Sequence, residues 1–324
     1  MITAIQLTRL TMAFGAVSDL WFVILLTQAH NEYVYMPVHG MSLPLALLAG
    51  ATVAVGLFAY GASLNDVLDA RHDSAFSPER PIPAGRIRYG QAIVVTVGAL
   101  IVAMLGGLML SLGNLGAREP SMGAVGMTLL TATSILFYNA AGKYIPAVGL
   151  IAVGLIHAAH MLIPNFQLAF TWPIWLVMTH AMVIAAIVHH LEDKRPRLRT
   201  RAIVSSVIGW IICSMILLYA GASQGEGLWP DDTSVLGAIY PIMAVLAFAV
   251  VGWWKATGVT GKAAAEKLKR YGAMWQALYG AAWLMALGLY AEAAWIGAFA
   301  VAGFVVMTMI KEITGLSDRP VAFR

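Results

Sequence analysis

The chain has 324 residues, 60% of them hydrophobic and 11% charged, with a mean hydropathy of +0.78, which excludes an ordinary soluble domain. A net charge of +4 and a pI near 9.2 would suit a nucleic-acid binder. The placement of the basic residues argues instead for no nucleic acid and for a lipid bilayer.

A helix crosses hydrocarbon in about 20 apolar residues. The sequence offers ten such stretches, at about 8–28, 43–65, 90–112, 121–139, 145–163, 172–191, 202–222, 233–254, 271–290 and 293–311. They predict an all-α fold, a polytopic membrane helix bundle of nine or ten transmembrane helices around a central cavity, in a single integral-membrane domain over residues 1–324. With Arg9 inside, every Lys and Arg except Arg118 falls on the same side. The positive-inside rule then favours ten crossings with both termini cytoplasmic. Merging the last two stretches would put Lys311, Arg319 and Arg324 outside. The lone Cys213 lies within an apolar stretch, so an internal disulfide or cysteine metal site is excluded. The N-terminal residues run into the first span without a small-residue cleavage site and read as an uncleaved helix.

The first span carries Asp19 between Ser18 and Leu20. A carboxyl at a helix centre costs roughly 2.5–3.5 kcal/mol to insert. Asp19 is therefore expected to face a polar cavity, as a candidate base, or to be hydrogen-bonded to a neighbouring helix in either protonation state. The second span runs into Asn65-Asp66-Val67-Leu68-Asp69-Ala70-Arg71-His72-Asp73, then Glu79-Arg80-Pro81-Ile82-Pro83-Ala84-Gly85-Arg86. Carboxylates spaced i, i+3, i+7 share a face if the helix continues. Such a face suits Mg²⁺, which takes oxygen ligands: one or two carboxylates, waters and substrate phosphates, with which the Asn65 amide is compatible. A solvated helix end is the plainer alternative, but ionisable groups against a membrane span are seldom idle.

The pattern NDxxDxxxD followed by RPIPAGRI resembles the first aspartate-rich motif and following loop of the UbiA-type intramembrane prenyltransferases. The match is clear over 65–88, and helix number and order extend it over most of the chain. The resemblance implies Mg²⁺-dependent transfer of a prenyl group from a polyprenyl diphosphate to an acceptor reached from the membrane, in a fold commonly of nine crossings. It makes Asp66, Asp69 and Asp73 the metal-binding and catalytic acids and puts Asn65 and Arg80 on the diphosphate. A guanidinium can grip two phosphate oxygens at once. Arg86 and Arg88 fit that role or that of topology markers.

The third and fourth spans are rich in small residues, as close helix packing in membranes requires. The fourth ends in Tyr138-Asn139-Ala140-Ala141-Gly142-Lys143, which resembles a Tyr and Lys pair at the same place in the family, spaced a residue longer. The resemblance implies Lys143 as a charge on diphosphate and Tyr138 as a cavity wall or donor. Otherwise Lys143 marks the inside and Tyr138 joins the aromatic belt. His157 and His160 lie in the fifth span and His180, His189 and His190 in the sixth. Imidazole binds transition metals, but the spacing fits no standard metalloenzyme motif, so these residues are expected to line a polar cavity or be satisfied by neighbours.

The sixth span ends where the family has a second acidic motif, DxxxD and a basic residue. Here Asp193 and Lys194 take the last two places and His189 the first. Imidazole is a poor Mg²⁺ ligand. Glu192 could supply the missing carboxylate and rebuild a second metal site with Asp193; otherwise one metal or altered chemistry is implied. Both acidic motifs end even-numbered spans and so open on one side. Lys194 and Arg195 are expected on the diphosphate, and Arg197, Arg199 and Arg201 on lipid headgroups. Further on, the acidic loop 221–233 (Glu226, Asp231, Asp232) is expected outside, residues 260–271 as a short basic helix along the membrane surface, and the last hairpin turn at Ala291-Glu292.

By the resemblance the acceptor is an aromatic or quinone precursor first. The alternatives are a lipid or sugar phosphate, cyclisation of the donor without acceptor, and a non-catalytic transporter or binding protein on the same fold. Nothing in the sequence bears on oligomeric state.

Overall fold

The computed structural model describes residues 13–113, 120–225, 227–230 and 233–315. Arg9, Arg118, Glu226, Asp231, Asp232, Arg319 and Arg324 lie outside them. The described residues form eleven α-helices joined by turns and short 3₁₀ segments. In chain order they are α1 Phe14–Ala29, α2 Leu43–Leu68, α3 Ala70–Phe76, α4 Tyr89–Leu112, α5 Gly123–Ala140, α6 Pro146–Met161, α7 Trp172–Leu191, α8 Thr200–Gln224, α9 Ile239–Ala256, α10 Gly261–Ala286 and α11 Tyr290–Gly315.

Among the described residues six helices are long and apolar enough to cross a membrane: α2, α4, α5, α7, α8 and the stretch Val235–Ala256 that contains α9. Phe14–Ala29, Pro146–Met161 and Tyr290–Val306 are apolar but shorter. Helix contacts run in a cycle from α1 through α2, α4, α5, α6, α7 and α10 back to α1, with α8 on α6 and α7, α9 on α10, and α11 on α10 and α1. The outer helices show what solvates them. Only 11% of the apolar windows of α8 and α9 is buried, and Ile211, Met215, Ile216, Ile242, Leu246 and Val250 stand exposed along them. Apolar faces of that extent belong against lipid tails.

Close packing in the cycle rests on small residues. A Cβ on Gly56 of α2 would stand 2.5 Å from the Ala103 backbone nitrogen of α4, and one on Gly106 would stand 2.8 Å from that of Val53. Polar pins add register: Trp21 Nε1 donates to Leu47 O (2.8 Å) between α1 and α2, and Trp210 Nε1 to Thr179 Oγ1 (2.9 Å) between α8 and α7.

Three local expectations are corrected. Residues 260–271 do not form a separate surface helix. They are the first half of the 26-residue α10, because the run Ala263 to Leu268 is made of strong helix formers and Ala264 and Ala265 are buried. The last hairpin turns at Leu287–Leu289, not at Ala291-Glu292; Gly288 takes φ +74°, the left-handed position past a helix end that glycine adopts without penalty. The helix also does not continue through the acidic motif. It breaks at Asp69 (φ −88°, ψ 1°) between α2 and α3.

Gly106→Val is expected to overpack the α2–α4 contact and cost about 1–3 kcal/mol, lowering the thermal unfolding midpoint in detergent. Gly98→Val, on the same helix with nothing within 4 Å of its Cβ position, is expected to stay within about 0.5 kcal/mol of wild type.

Candidate active site at the end of α2

The break at Asp69 decides how the first motif is used. Asp66 and Asp73 are both buried, at 3% and 4% exposure, and converge on one guanidinium nitrogen. Arg80 Nη1 donates to Asp73 Oδ2 at 2.7 Å and makes a longer contact of 3.4 Å to Asp66 Oδ1. Asp69 faces another partner. Lys143 Nζ donates to both its oxygens at 2.7 Å and to Asn65 Oδ1 at 3.2 Å. The three carboxylates therefore divide between two cations brought from elsewhere in the chain. The loop after α3 delivers Arg80, held by its backbone bonds to Ser77 and Ala84, and the 3₁₀ turn after α5 delivers Lys143. The prolines of RPIPAGR and Gly85 at φ +69° restrict that loop. Arg86, beside them, donates to the backbone carbonyl of Glu79.

Tyr144 joins the site without having been anticipated. Its hydroxyl donates to Asp69 Oδ1 at 3.3 Å, and its ring lies 5.4 Å from Lys143 Nζ. Desolvation, then the charge and hydrogen bond of Asp69, push this hydroxyl above its ordinary range. It stays a donor. The only signal in the sequence was its adjacency to Lys143. Tyr138 is partly buried near the C-terminal end of α5, five residues before Lys143.

At the second motif Glu192 is held by two ammonium groups. Lys194 Nζ stands 3.0 Å from Oε2, and Lys269 Nζ donates to Oε1. Burial raises the Glu192 carboxyl, but the hydrogen bonds and charges of Lys269 and Lys194 outweigh it, and the net shift is downward. Asp193, with φ +45° and a side chain 61% exposed, is paired with Arg197 at 3.0 Å and Arg195 at 3.4 Å. The Arg197 hydrogen bond, followed by the charges of both arginines, lowers its carboxyl. His189 Nε2 lies 3.0 Å from Pro196 O, which makes it the donor to that carbonyl.

Asp19 is not brought to the motifs. It is 2% exposed, with Oδ2 4.0 Å from His157 Nδ1, and His157 Nδ1 is 3.2 Å from Gln276 Nε2. Trp21 reaches Leu47, near the start of α2, whereas Asp66 is at its far end, about 28 Å along the axis at 1.5 Å per residue. His180 is satisfied on both sides: Nε2 donates to Gly272 O (3.1 Å) and Nδ1 accepts from the Tyr279 hydroxyl (3.2 Å). His157 and His180 thus serve helix packing between α1, α6, α7 and α10. Among the described residues no group of three or more His, Cys, Asp or Glu could by itself hold a metal ion. The all-oxygen set at the first motif, with two buried carboxylates meeting at one nitrogen, fits the sparse Mg²⁺ mode in which one or two carboxylates are completed by substrate phosphates.

The sequence model of the UbiA prenyltransferase family matches residues 20–278, and the chain belongs to that family. Protoheme IX farnesyltransferases of two Nitratidesulfovibrio vulgaris strains, DP4 and Hildenborough, are each 34% identical to it over 140 residues, 40% of this chain and 49% of each relative. The chain thus spans about half the length of the curated relatives it matches. A solved structure of digeranylgeranylglyceryl phosphate synthase in membranes has the same fold, with a TM-score of 0.54 and 16% identity over 88% of this chain and 97% of that one.

Arg80→Met is expected to leave Asp66 and Asp73 short of their shared cation. Removing one partner of a buried pair costs about 3–5 kcal/mol, lessened here by the 30% exposure of the arginine side chain. The thermal midpoint should fall, and added Mg²⁺ should raise it more in the variant than in wild type, because the ion no longer competes with the guanidinium. The depressed Glu192 carboxyl contributes stability that is complete above its ordinary value of 4.5 and is lost as pH falls through the lowered folded value. Thermal midpoints of wild type and Glu192→Gln measured from neutral to acid pH should accordingly converge on acidification.

Proposed function

We propose that this protein transfers a prenyl group from a prenyl diphosphate to an acceptor that reaches the site from the membrane, with Mg²⁺ as cofactor. The observation that carries the reading is the convergence of Asp66, Asp69, Asp73 and Asn65 with Arg80 and Lys143 at one end of the bundle, in a chain of this family. Asp66 and Asp73, which meet at Arg80, would hold the ion, with Asp69 and Asn65 on the Lys143 side of the same helix end. Bound there, it would neutralise diphosphate charge and make it a better leaving group.

The chain's own residues account for the rest. Arg80 and Lys143 are fixed cations that can exchange their carboxylates for phosphate oxygens and stabilise the charge that develops as the C–O bond breaks. Tyr144, which donates to Asp69, lines the same place, and Tyr138 lies near the end of α5 that leads to it. Apolar helices around the prenyl tail keep water from the allylic cation. Ten crossings, with the site and both termini on the cytoplasmic side, fit the distribution of Lys and Arg, whereas the nine common in the family would put the C-terminal basic residues outside.

For the acceptor we favour an aromatic molecule, a quinone precursor or a tetrapyrrole. The 34% identical relatives are named for a tetrapyrrole acceptor, protoheme IX. A glyceryl phosphate lipid, as in the name of the structural neighbour, is the comparison to run beside it.

Purified protein offered farnesyl, geranylgeranyl and longer prenyl diphosphates with aromatic and lipid acceptors is expected to release diphosphate only with Mg²⁺. In an Asp66→Ala, Asp69→Ala double variant the rate should fall by at least about a hundredfold. Mass analysis of the organic product identifies the acceptor. Release that is independent of Mg²⁺ or unchanged in the double variant would refute the reading.

A further inference from the structure

Two consecutive residues of α7 face two different sides. Thr179 accepts a hydrogen bond from Trp210 of α8 at 2.9 Å. His180 bonds to Gly272 of α10 and meets Phe248 of α9 edge-on, with ring centroids 4.7 Å apart. Val183 follows Thr179 by four residues and His180 by three, so it stands on the strip of α7 between those two directions. Ile187 and His190 continue the strip, one turn and two turns further on. All three are exposed, Val183 at 50% and Ile187 at 42%. α8 and α9 therefore flank a furrow whose floor is the outer face of α7, and that floor is apolar until it reaches His190.

The furrow ends in positive charge, and helix register sets the level. α8 runs antiparallel to α7, and His190 and Arg199 each lie eleven residues from the contact of Thr179 with Trp210, about 16 Å along their own helices. α10 is antiparallel to α7 in the same way. Leu191 and Gly261 each lie eleven residues from the contact of His180 with Gly272, and a Cβ on Gly261 would stand 3.9 Å from Leu191 O. Arg199, the N-cap of α8, and Lys262, in the first turn of α10, thus come to the level of His190. The aromatic belt places the bilayer edge just short of them. Trp253 and Trp254 stand exposed at the end of the apolar stretch Val235–Ala256, less than two turns past Phe248, and Lys255 Nζ lies 4.4 Å from the Trp254 ring; indoles settle at the headgroup boundary. Two carboxylates at this end have cations of their own, Glu192 with Lys194 and Lys269 and Asp193 with Arg195 and Arg197. Arg199 and Lys262 are exposed and make no ion pair among the described residues.

We infer that this furrow seats one anionic phospholipid, with an acyl chain along Val183 and Ile187 and the phosphate at Arg199, Lys262 and His190. Charge complementarity selects the occupant. A groove open to lipid tails that ends in unpaired cations fits an amphiphile with an anionic head, and each such cation adds to the attraction. A zwitterionic lipid carries its own ammonium to that level and gains less. The seat narrows the general expectation of headgroup contacts for Arg197, Arg199 and Arg201. Arg197 is held by Asp193, and Arg201, two residues after Arg199, lies on the opposite side of α8. The inference does not depend on prenyl transfer.

The test uses the full chain in detergent and native mass spectrometry, titrating phosphatidylglycerol or phosphatidylcholine and reading the affinity of the first lipid retained. Phosphatidylglycerol is expected to bind about tenfold more tightly, and Arg199→Gln with Lys262→Gln should abolish that preference. Arg199→Lys with Lys262→Arg should keep it, which separates lost charge from misfolding. Arg201→Gln with Lys267→Gln removes as much charge from the same two helices and should leave the preference in place. Val183→Trp, which fills the floor without touching the cations, should weaken the first phosphatidylglycerol about tenfold. Equal affinity for the two lipids in wild type overturns the inference. So does a preference that survives Arg199→Gln with Lys262→Gln, one lost equally in Arg201→Gln with Lys267→Gln, or an unchanged first affinity in Val183→Trp. Displacement of the bound phosphatidylglycerol by equimolar farnesyl diphosphate would assign the furrow to a prenyl diphosphate instead and overturn it too.

Discussion

Three carboxylates stand where α2 passes into α3, beside hydrocarbon, and much of the candidate site's architecture is organised by how they are paired. Withdrawing a carboxylate from water costs several kcal/mol unless a counter-charge stands in hydrogen-bonding contact. At an effective dielectric near 20, a pair at 4 Å recovers about 4 kcal/mol, so distance decides the balance. Asp69 meets that condition twice, through both oxygens at 2.7 Å from Lys143. Asp66 and Asp73 meet it by sharing Arg80. The loop after α3 and the turn after α5 are bound to the end of α2 by these contacts. On the proposed function, the cations that pair with the acids are those that would grip the diphosphate.

The rest of the bundle makes this convergence possible by bringing backbones close. Small residues let α2 settle on α4, so the strip of α2 that ends in the motif is braced on its side. On the opposite side of the cycle, α7 and α10 are joined through His180, which uses both ring nitrogens. A buried imidazole so satisfied holds register rather than reacting, and the register it holds carries Lys269 to Glu192. His180 is thus tied to the end of α7 through helix packing. Asp19 pairs with His157 beside Gln276, far along α1 and α2 from the first motif.

The sequence by itself determined a great deal here, because hydrocarbon leaves a chain few options. The apolar stretches foretold an all-helical bundle, since every backbone polar group in lipid must be satisfied within its own segment, and among the described residues six of its helices are long and apolar enough to cross a membrane. NDxxDxxxD with RPIPAGR marked the site because its spacing and turn chemistry are local. Contacts over long sequence distances were decided only by the tertiary structure. Helical spacing alone put Asp66, Asp69 and Asp73 on one face, whereas the break at Asp69 sends its carboxylate to Lys143. Residues 260–271 read as a surface helix because their charges are local and their burial is not. Nothing near Glu192 announces Lys269, and nothing near Asp69 beyond adjacency to Lys143 announces Tyr144. Such pairings depend on helix register and crossing, which are set by the packing of residues far apart in the chain.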